Sequence, residues 1–247
     1  MSKRVFHRRN DEHTGSAGFT VVELVVVIAM TAVLTALLLP ALSSAKEKAR
    51  RAVCKSDLRQ LYFVVQMYAN DHDDFLPSAA DNKGNYHSIR LSDETFTTLV
   101  DKYASGCSNI FYCPNLGTSK TFAHDTFGYT IGYSYLADDV QTTVKGADYA
   151  DTPIKVGSVS ATNELLADAN YWTSGASAYG AMVKMAPHTA MGAATALSSI
   201  SSGATNSAGL GAMGGNIELY DGSVSWCKIS SMQTHPASSM NDASGNW

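Results

Sequence analysis

The stretch that decides the fold runs from Gly18 to Pro40 and reads Gly18-Phe19-Thr-Val-Val-Glu23-Leu-Val-Val-Val-Ile-Ala-Met-Thr-Ala-Val-Leu-Thr-Ala-Leu-Leu-Leu39-Pro40. Phe19 to Leu39 is a run of 21 residues in which Glu23 is the one ionisable side chain. At about 1.5 Å of rise per residue, such a run wound as a helix crosses a hydrocarbon layer roughly 30 Å thick. An acid inside a span of that kind is expensive and marks function by default. Glu23 stands fifth from Phe19, behind a hydrophilic leader, residues 1–18, that ends in glycine. The leader lacks the apolar stretch of a secretory signal peptide.

Four residues at fixed spacing on this run, Gly18, Phe19, Glu23 and Pro40, resemble the class III signal of type IV pilins and of the pseudopilins of type II secretion. The resemblance implies that a prepilin peptidase cuts between Gly18 and Phe19 and N-methylates Phe19. It implies an assembly role for Glu23 and a helix kink at Pro40. The implied partners are that peptidase, sister subunits forming a homopolymer, and an inner-membrane assembly platform. The implied location is a single pass through the inner (cytoplasmic) membrane, with the head in the periplasm or outside the cell, and afterwards a filament. Physical chemistry supplies a reason for the glutamate. Cutting leaves a positive α-amino group beside lipid, and the Glu23 carboxylate of a neighbouring subunit is a fitting counter-charge, since both are costly unless paired. An ordinary anchor with one tolerated glutamate leaves Gly18, Phe19 and Pro40 as coincidences.

The net charge of -4 and pI near 5.9 argue against a nucleic-acid partner, which calls for a concentrated basic face. Lys46, Lys48, Arg50, Arg51, Lys55 and Arg59 are interleaved with Glu47 and Asp57 and read as a solvated helix flank. No aromatic ladder accompanies them, which excludes a single-strand platform. Lys3, Arg4, Arg8 and Arg9 precede the span while those six basic residues follow it, so charge bias does not fix the orientation. The cytoplasmic placement of the N-terminus rests on the resemblance.

Beyond Pro40 the helical signal continues. Ala41, Leu42, Ala45, Ala49 and Ala52 keep propensity high, and Leu58, Leu61, Val65 and Tyr68 recur on one face. The expectation is one helix from about Phe19 to about Asn70: a membrane or filament-core part over 19–39 and an amphipathic continuation over 40–72, its second half buried by an α+β head at 73–247. Asn70-Asp71-His72-Asp73-Asp74 reads as a polar helix stop before Pro77; it lacks the glycine and distal glutamate of an EF-hand calcium loop. Asp93 to Tyr103 reads as a short amphipathic helix, Tyr129 to Tyr135 as one half-buried strand, and 163–168 and 181–186 as weaker strands. Residues 189–215, rich in Ala, Ser, Gly and Thr, read as a long loop, with a subunit contact as one use for it.

Cys107 and Cys113 do not have a usual zinc spacing, and outside the cytoplasm a Cys107–Cys113 disulfide closing a small loop is the expectation. Cys54 and Cys227 remain a further pairing that sequence leaves open. The Cys113-Pro114 pair after a short apolar segment also resembles pilin-like proteins. Asp221-Gly222 between alternating runs predicts a two-residue hairpin that sets Leu219 opposite Val224 and Ile217 opposite Trp226. This stretch resembles a C-terminal motif of pilin-like proteins in which a histidine stands ten positions before Asp-Gly. Gly211 holds that place here, and His188 is a displaced counterpart. The resemblance covers the first third well, the final hairpin moderately and residues 75–200 loosely.

Asp168, His188 and Asp221 are candidates to converge near the C-terminal sheet, where related pseudopilins hold calcium; Asp221 is the named candidate ligand, although turn chemistry already accounts for it. Otherwise no cofactor is expected. Gly209-Leu-Gly211-Ala-Met-Gly214 lacks the strand and helix of a dinucleotide fingerprint, and Ser43-Ser-Ala-Lys46 lacks the partner motifs of a serine hydrolase. None of the seven histidines forms an i, i+4 pair. The expectation is therefore a pilin-like, non-catalytic α+β subunit, its long helix packed on a small antiparallel sheet that ends in the Asp221-Gly222 hairpin. The alternative is a minor pilin or anchored binding protein whose 189–215 loop and Tyr171, Trp172 and Tyr179 take a ligand.

Overall fold

The structure, a computed structural model, describes residues 18–116, 124–137, 154–173, 182–189, 192–198, 207–209, 211–238 and 243–247. It is α+β and divides into two compact units, Met1–Leu42 and Ser43–Trp247. The leader, apart from Gly18, lies outside the described residues.

Helix α1 spans Val21–Asp71, 51 residues with Pro40 inside, which matches the expected helix to within two residues at each end. Its start is a capping box: the Thr20 hydroxyl accepts from the Glu23 backbone N–H at 3.2 Å, and Glu23 Oε2 accepts from the Thr20 backbone N–H at 2.8 Å. Its end is the polar stop, where Asp73 and Asp74 turn left-handed at φ 52° and 66° and the Asp74 N–H donates to Ala69 O at 2.9 Å. Apolar residues from Phe19 to Leu42 are exposed, and the 18-residue stretch of highest hydropathy has no buried residue. This helix is long and apolar enough to cross a membrane. In the second unit the same helix buries Cys54, Leu58, Leu61, Val65 and Ala69, spaced four, three, four and four apart. Each Leu or Val so covered contributes about 1.5–3 kcal/mol.

Twelve strands are described: β1 Arg90–Leu91, β2 His124–Asp125, β3 Gly128–Thr130, β4 Tyr133–Tyr135, β5 Glu164–Asp168, β6 Tyr171–Thr173, β7 Met182–Thr189, β8 Gly192–Ser198, β9 Gly214–Leu219, β10 Val224–Lys228, β11 Thr234–Pro236 and β12 Ala243–Asn246. They form three antiparallel sheets, ordered β1-β3-β2, β10-β9-β5-β4 and β11-β12-β6-β7-β8. One apolar cluster joins the α1 stripe to Leu99, Phe111, Tyr133 and Leu166; a second joins Ile89, Leu136, Ala167, Ile217 and Trp247.

Four expectations are corrected. The Tyr129–Tyr135 run is two strands in two sheets, because it breaks at Ile131-Gly132, where the Gly132 N–H donates to Phe111 O at 2.8 Å. The Asp93–Tyr103 helix is α2, Asp93–Thr98, capped by Ser92, followed by a π-helical turn over Leu99–Tyr103. The 189–215 loop contains strand β8, which pairs with β7; its small residues hid it from an argument based on apolar alternation.

The hairpin has a three-residue loop in place of the two-residue turn. Leu219 O accepts from Gly222 N at 2.9 Å, Leu219 N donates to Ser223 O at 3.0 Å, and Gly222 sits at φ +79° as the bulge residue. The register therefore slips by one, pairing Glu218 with Val224 and Ile217 with Ser225. Glu218, expected on an outer face with Ser225, is fully buried, because β9 is a central strand covered on both sides.

Candidate functional site

Cys54 lies on α1, Cys113 just after the 3-10 turn Ser108–Phe111, Asp168 at the end of β5 and His188 near the end of β7. All four are 0% exposed, and one ligand atom from each lies within 4.8 Å of the other three. Cys54 Sγ and Cys113 Sγ are 3.1 Å apart, and both are free thiols.

Bare backbone makes the approach possible. A Cβ on Gly132 would stand 2.4 Å from the Cys113 nitrogen, and one on Gly215 would stand 2.9 Å from Asp168 Cβ. The helix contributes more than a cysteine, since Glu47, Arg51, Cys54 and Leu58 follow one face at spacings of four, three and four. Glu47 is buried, and its Oε1 accepts from Arg51 Nε at 3.1 Å and from His188 Nδ1 at 2.8 Å. Asn115 Nδ2 donates to the other oxygen, Oε2, at 2.9 Å. Arg51 lies 4.0 Å over the Trp226 ring, whose edge-on neighbour is the His188 imidazole.

With Nδ1 bound to Glu47, the imidazole turns Nε2 to Asp168 Oδ2, 3.2 Å away but out of line for a hydrogen bond. Asp168 Oδ2 accepts from the Asn216 backbone N–H and from Asn216 Nδ2 at 3.0 Å. Asp168 Oδ1, buried, has no hydrogen-bond partner among the described residues.

The electrostatics follow from these contacts. Burial lowers the His188 pKa, but the facing Asp168 carboxylate and then the Cys113 sulfur outweigh it, so the imidazole is pushed up to about 10. His87, also buried but without such a cluster, is pushed by burial down to about 4. Burial raises Cys113, yet its hydrogen bond with Cys54 and the neighbouring His188 imidazole bring it down to about 7. Cys54 goes up, first because it hydrogen-bonds Cys113 and then through burial. Burial raises Glu47, and the Asn115, His188 and Arg51 hydrogen bonds outweigh it, leaving Glu47 below the ordinary value. The arrangement is two sulfurs of opposed acidity, an imidazole held by a carboxylate, and a second carboxylate with one open oxygen. Such a set suits a thiophilic divalent ion and not calcium, which takes oxygen ligands.

Two of the three sequence candidates meet: Asp168 and His188 converge. Asp221 does not join them, for it is exposed and its Oδ1 accepts from Ser223 N at 2.8 Å, which closes the hairpin loop. Its carboxyl is held below the ordinary value by that same serine. The Cys107–Cys113 disulfide is also corrected, since Cys107 is exposed at the start of the 3-10 turn while Cys113 is buried against Cys54. Cys227 is not the partner of Cys54 either; it is half-buried on β10 with Sγ 3.7 Å from Lys228 O. Tyr171 and Trp172, offered as ligand-binding aromatics, are buried, and Tyr179 lies outside the described residues. Sequence reasoning missed Cys54, Glu47 and Asn216. The face shared by Glu47, Arg51, Cys54 and Leu58 was the signal that could have found the first two.

Gly18 and Phe19 are exposed just before α1, Glu23 is in its first turn and Pro40 is within it. No family model matches the chain, and no curated protein or solved structure matches it.

Proposed function

We propose that this chain is a pilin-like structural subunit. A prepilin peptidase cuts it between Gly18 and Phe19, and it enters a type II secretion or type IV pilus-like filament through the Phe19–Leu39 helix. The observation that carries this reading is the exposed apolar half of α1. A soluble fold does not leave Val21, Leu24, Ile28, Leu34 and Leu38 all more than half exposed without a further environment for them. Membrane lipid serves first, and sister helices in a filament core serve next, where packing of small and apolar side chains drives association. The capping box fits the same reading, because the helix begins beside the proposed cut and needs nothing from the leader.

Glu23 then has two tasks, closing the capping box and facing the α-amino group of a neighbour. Glu23→Gln separates them, since glutamine also closes a capping box but carries no charge. The variant is expected to insert and be processed normally, with its share in sheared filaments falling at least tenfold. Incorporation at the wild-type level would remove the charge-pairing role. The ligand-binding alternative draws no support from Tyr171 and Trp172, whose burial keeps them from a ligand.

A further inference from the structure

We propose that Cys54, Cys113, Asp168 and His188 form a closed structural site for one zinc ion, set inside the Ser43–Trp247 unit. The donor set is two thiolates, one imidazole and one carboxylate, four ligands of the kinds zinc takes in tetrahedral sites. Bonds of about 2.0–2.3 Å place tetrahedral donors roughly 3.3–3.8 Å apart. The Sγ to Sγ distance is 3.1 Å, which two zinc–sulfur bonds of about 2.3 Å would open to roughly 3.8 Å, and the four ligand atoms all lie within 4.8 Å of one another. Filling the site spreads the two sulfurs and draws the remaining donors to the same spacing, with side chains already in place.

The surrounding contacts distinguish zinc from the two other uses of such residues. A Cys54–Cys113 disulfide would satisfy the sulfurs and leave His188 and Asp168 buried without purpose, with Asp168 Oδ1 still lacking a partner among the described residues. A nucleophilic cysteine needs access for substrate, and all four side chains are fully buried. A metal accounts for the whole arrangement. Glu47 accepts a hydrogen bond from His188 Nδ1–H, which leaves Nε2 as the ligating atom, and Arg51 and Asn115 donate to Glu47 and hold it in place. This carboxylate–histidine–metal order is the usual outer support of a ligating imidazole. Asn216 does the same for Asp168 through Oδ2 and leaves Oδ1 open. The four ligands come from α1, the turn before Pro114, β5 and β7, so one ion would tie the helix to two sheets.

The test is a titration of the full chain, purified in detergent with its thiols reduced and metal removed. Cobalt(II) is expected to bind one per chain, with thiolate charge-transfer absorption and the strong visible bands of a four-coordinate ion, and an equivalent of zinc should displace it. Cys113→Ser should weaken the charge-transfer absorption to that of a single thiolate, and the double change Cys54→Ser with Cys113→Ser should remove it. Glu47→Gln should keep the one-to-one ratio and weaken zinc binding about 10–100-fold, as loss of an outer partner does. A reduced wild-type chain that gives no four-coordinate cobalt spectrum would overturn the proposal. So would protein from its host carrying a Cys54–Cys113 disulfide and no zinc. The filament reading stands or falls separately, because it concerns residues 18–40.

Discussion

The two halves of α1 present opposite solvation problems on one continuous helix. From Phe19 to Leu42 the apolar side chains are exposed and Glu23 is the lone acid; from Glu47 to Ala69 a charged residue is buried while Val53, Phe63 and Met67 remain outside. The first half can be read from composition, since no arrangement of its own residues covers it and the environment must. The second half cannot, because whether Glu47 is a solvated charge or the keystone of a buried network depends on what arrives from residues 113–115, 168, 188 and 216.

The sharpest way to break this contrast is His188→Ala. It leaves Asp168 buried without its facing cation and Glu47 with Arg51 as its remaining one, and removing one partner of a buried charge set costs about 3–5 kcal/mol. Urea unfolding of the Ser43–Trp247 unit should register that loss, while membrane insertion through α1 stays unchanged. If His188→Ala unfolds at the wild-type midpoint, the network is not holding the head.

The converse change is Leu34→Lys. A lysine at the centre of a spanning helix costs about 2.5–3.5 kcal/mol on insertion scales, so the chain should shift from the membrane to the soluble or aggregated fraction. Val53→Lys, also at an exposed apolar position on the same helix, should change stability by less than about 0.5 kcal/mol. Equal behaviour of the two variants would erase the distinction between the halves.

The difference in legibility has the same cause. The limits of α1, its apolar first half and the α+β class follow from runs of adjacent residues, and these were read correctly. The register of the Asp221 hairpin was not, since the Asp-Gly pair fits both a two-residue turn and a three-residue loop closed by a left-handed glycine. Strand β8 was missed because alanine and serine give no alternation. In the candidate site, Asp168 and His188 were paired, but with Asp221, whose carboxylate closes its own turn. Cys113 was assigned to its sequence neighbour Cys107, though Cys54, far away in the chain, is the residue that the fold brings to it. Sites assembled from four separate elements leave little trace in local spacing.

Glu218 gives the smallest of the three effects. Burial pushes its pKa up to about 9, only partly offset by Arg59. The unfolded chain loses that proton near pH 4.5 while the folded chain keeps it to about 9, so stability falls as pH rises through this window. Glu218→Gln removes the dependence and should stabilise the head by about 1–3 kcal/mol at pH 8 relative to wild type, with little difference at pH 4. Parallel stability–pH curves for the two proteins would contradict this assignment.

The most direct measurement is the mass of the N-terminal peptide of the protein recovered from its host. A peptide beginning at Phe19 and carrying one extra methyl on its amine is the predicted result, and it would join the exposed half of α1 to filament assembly. An intact Met1 terminus, or a cut elsewhere, would contradict the account and leave the capping box as the whole explanation of Glu23.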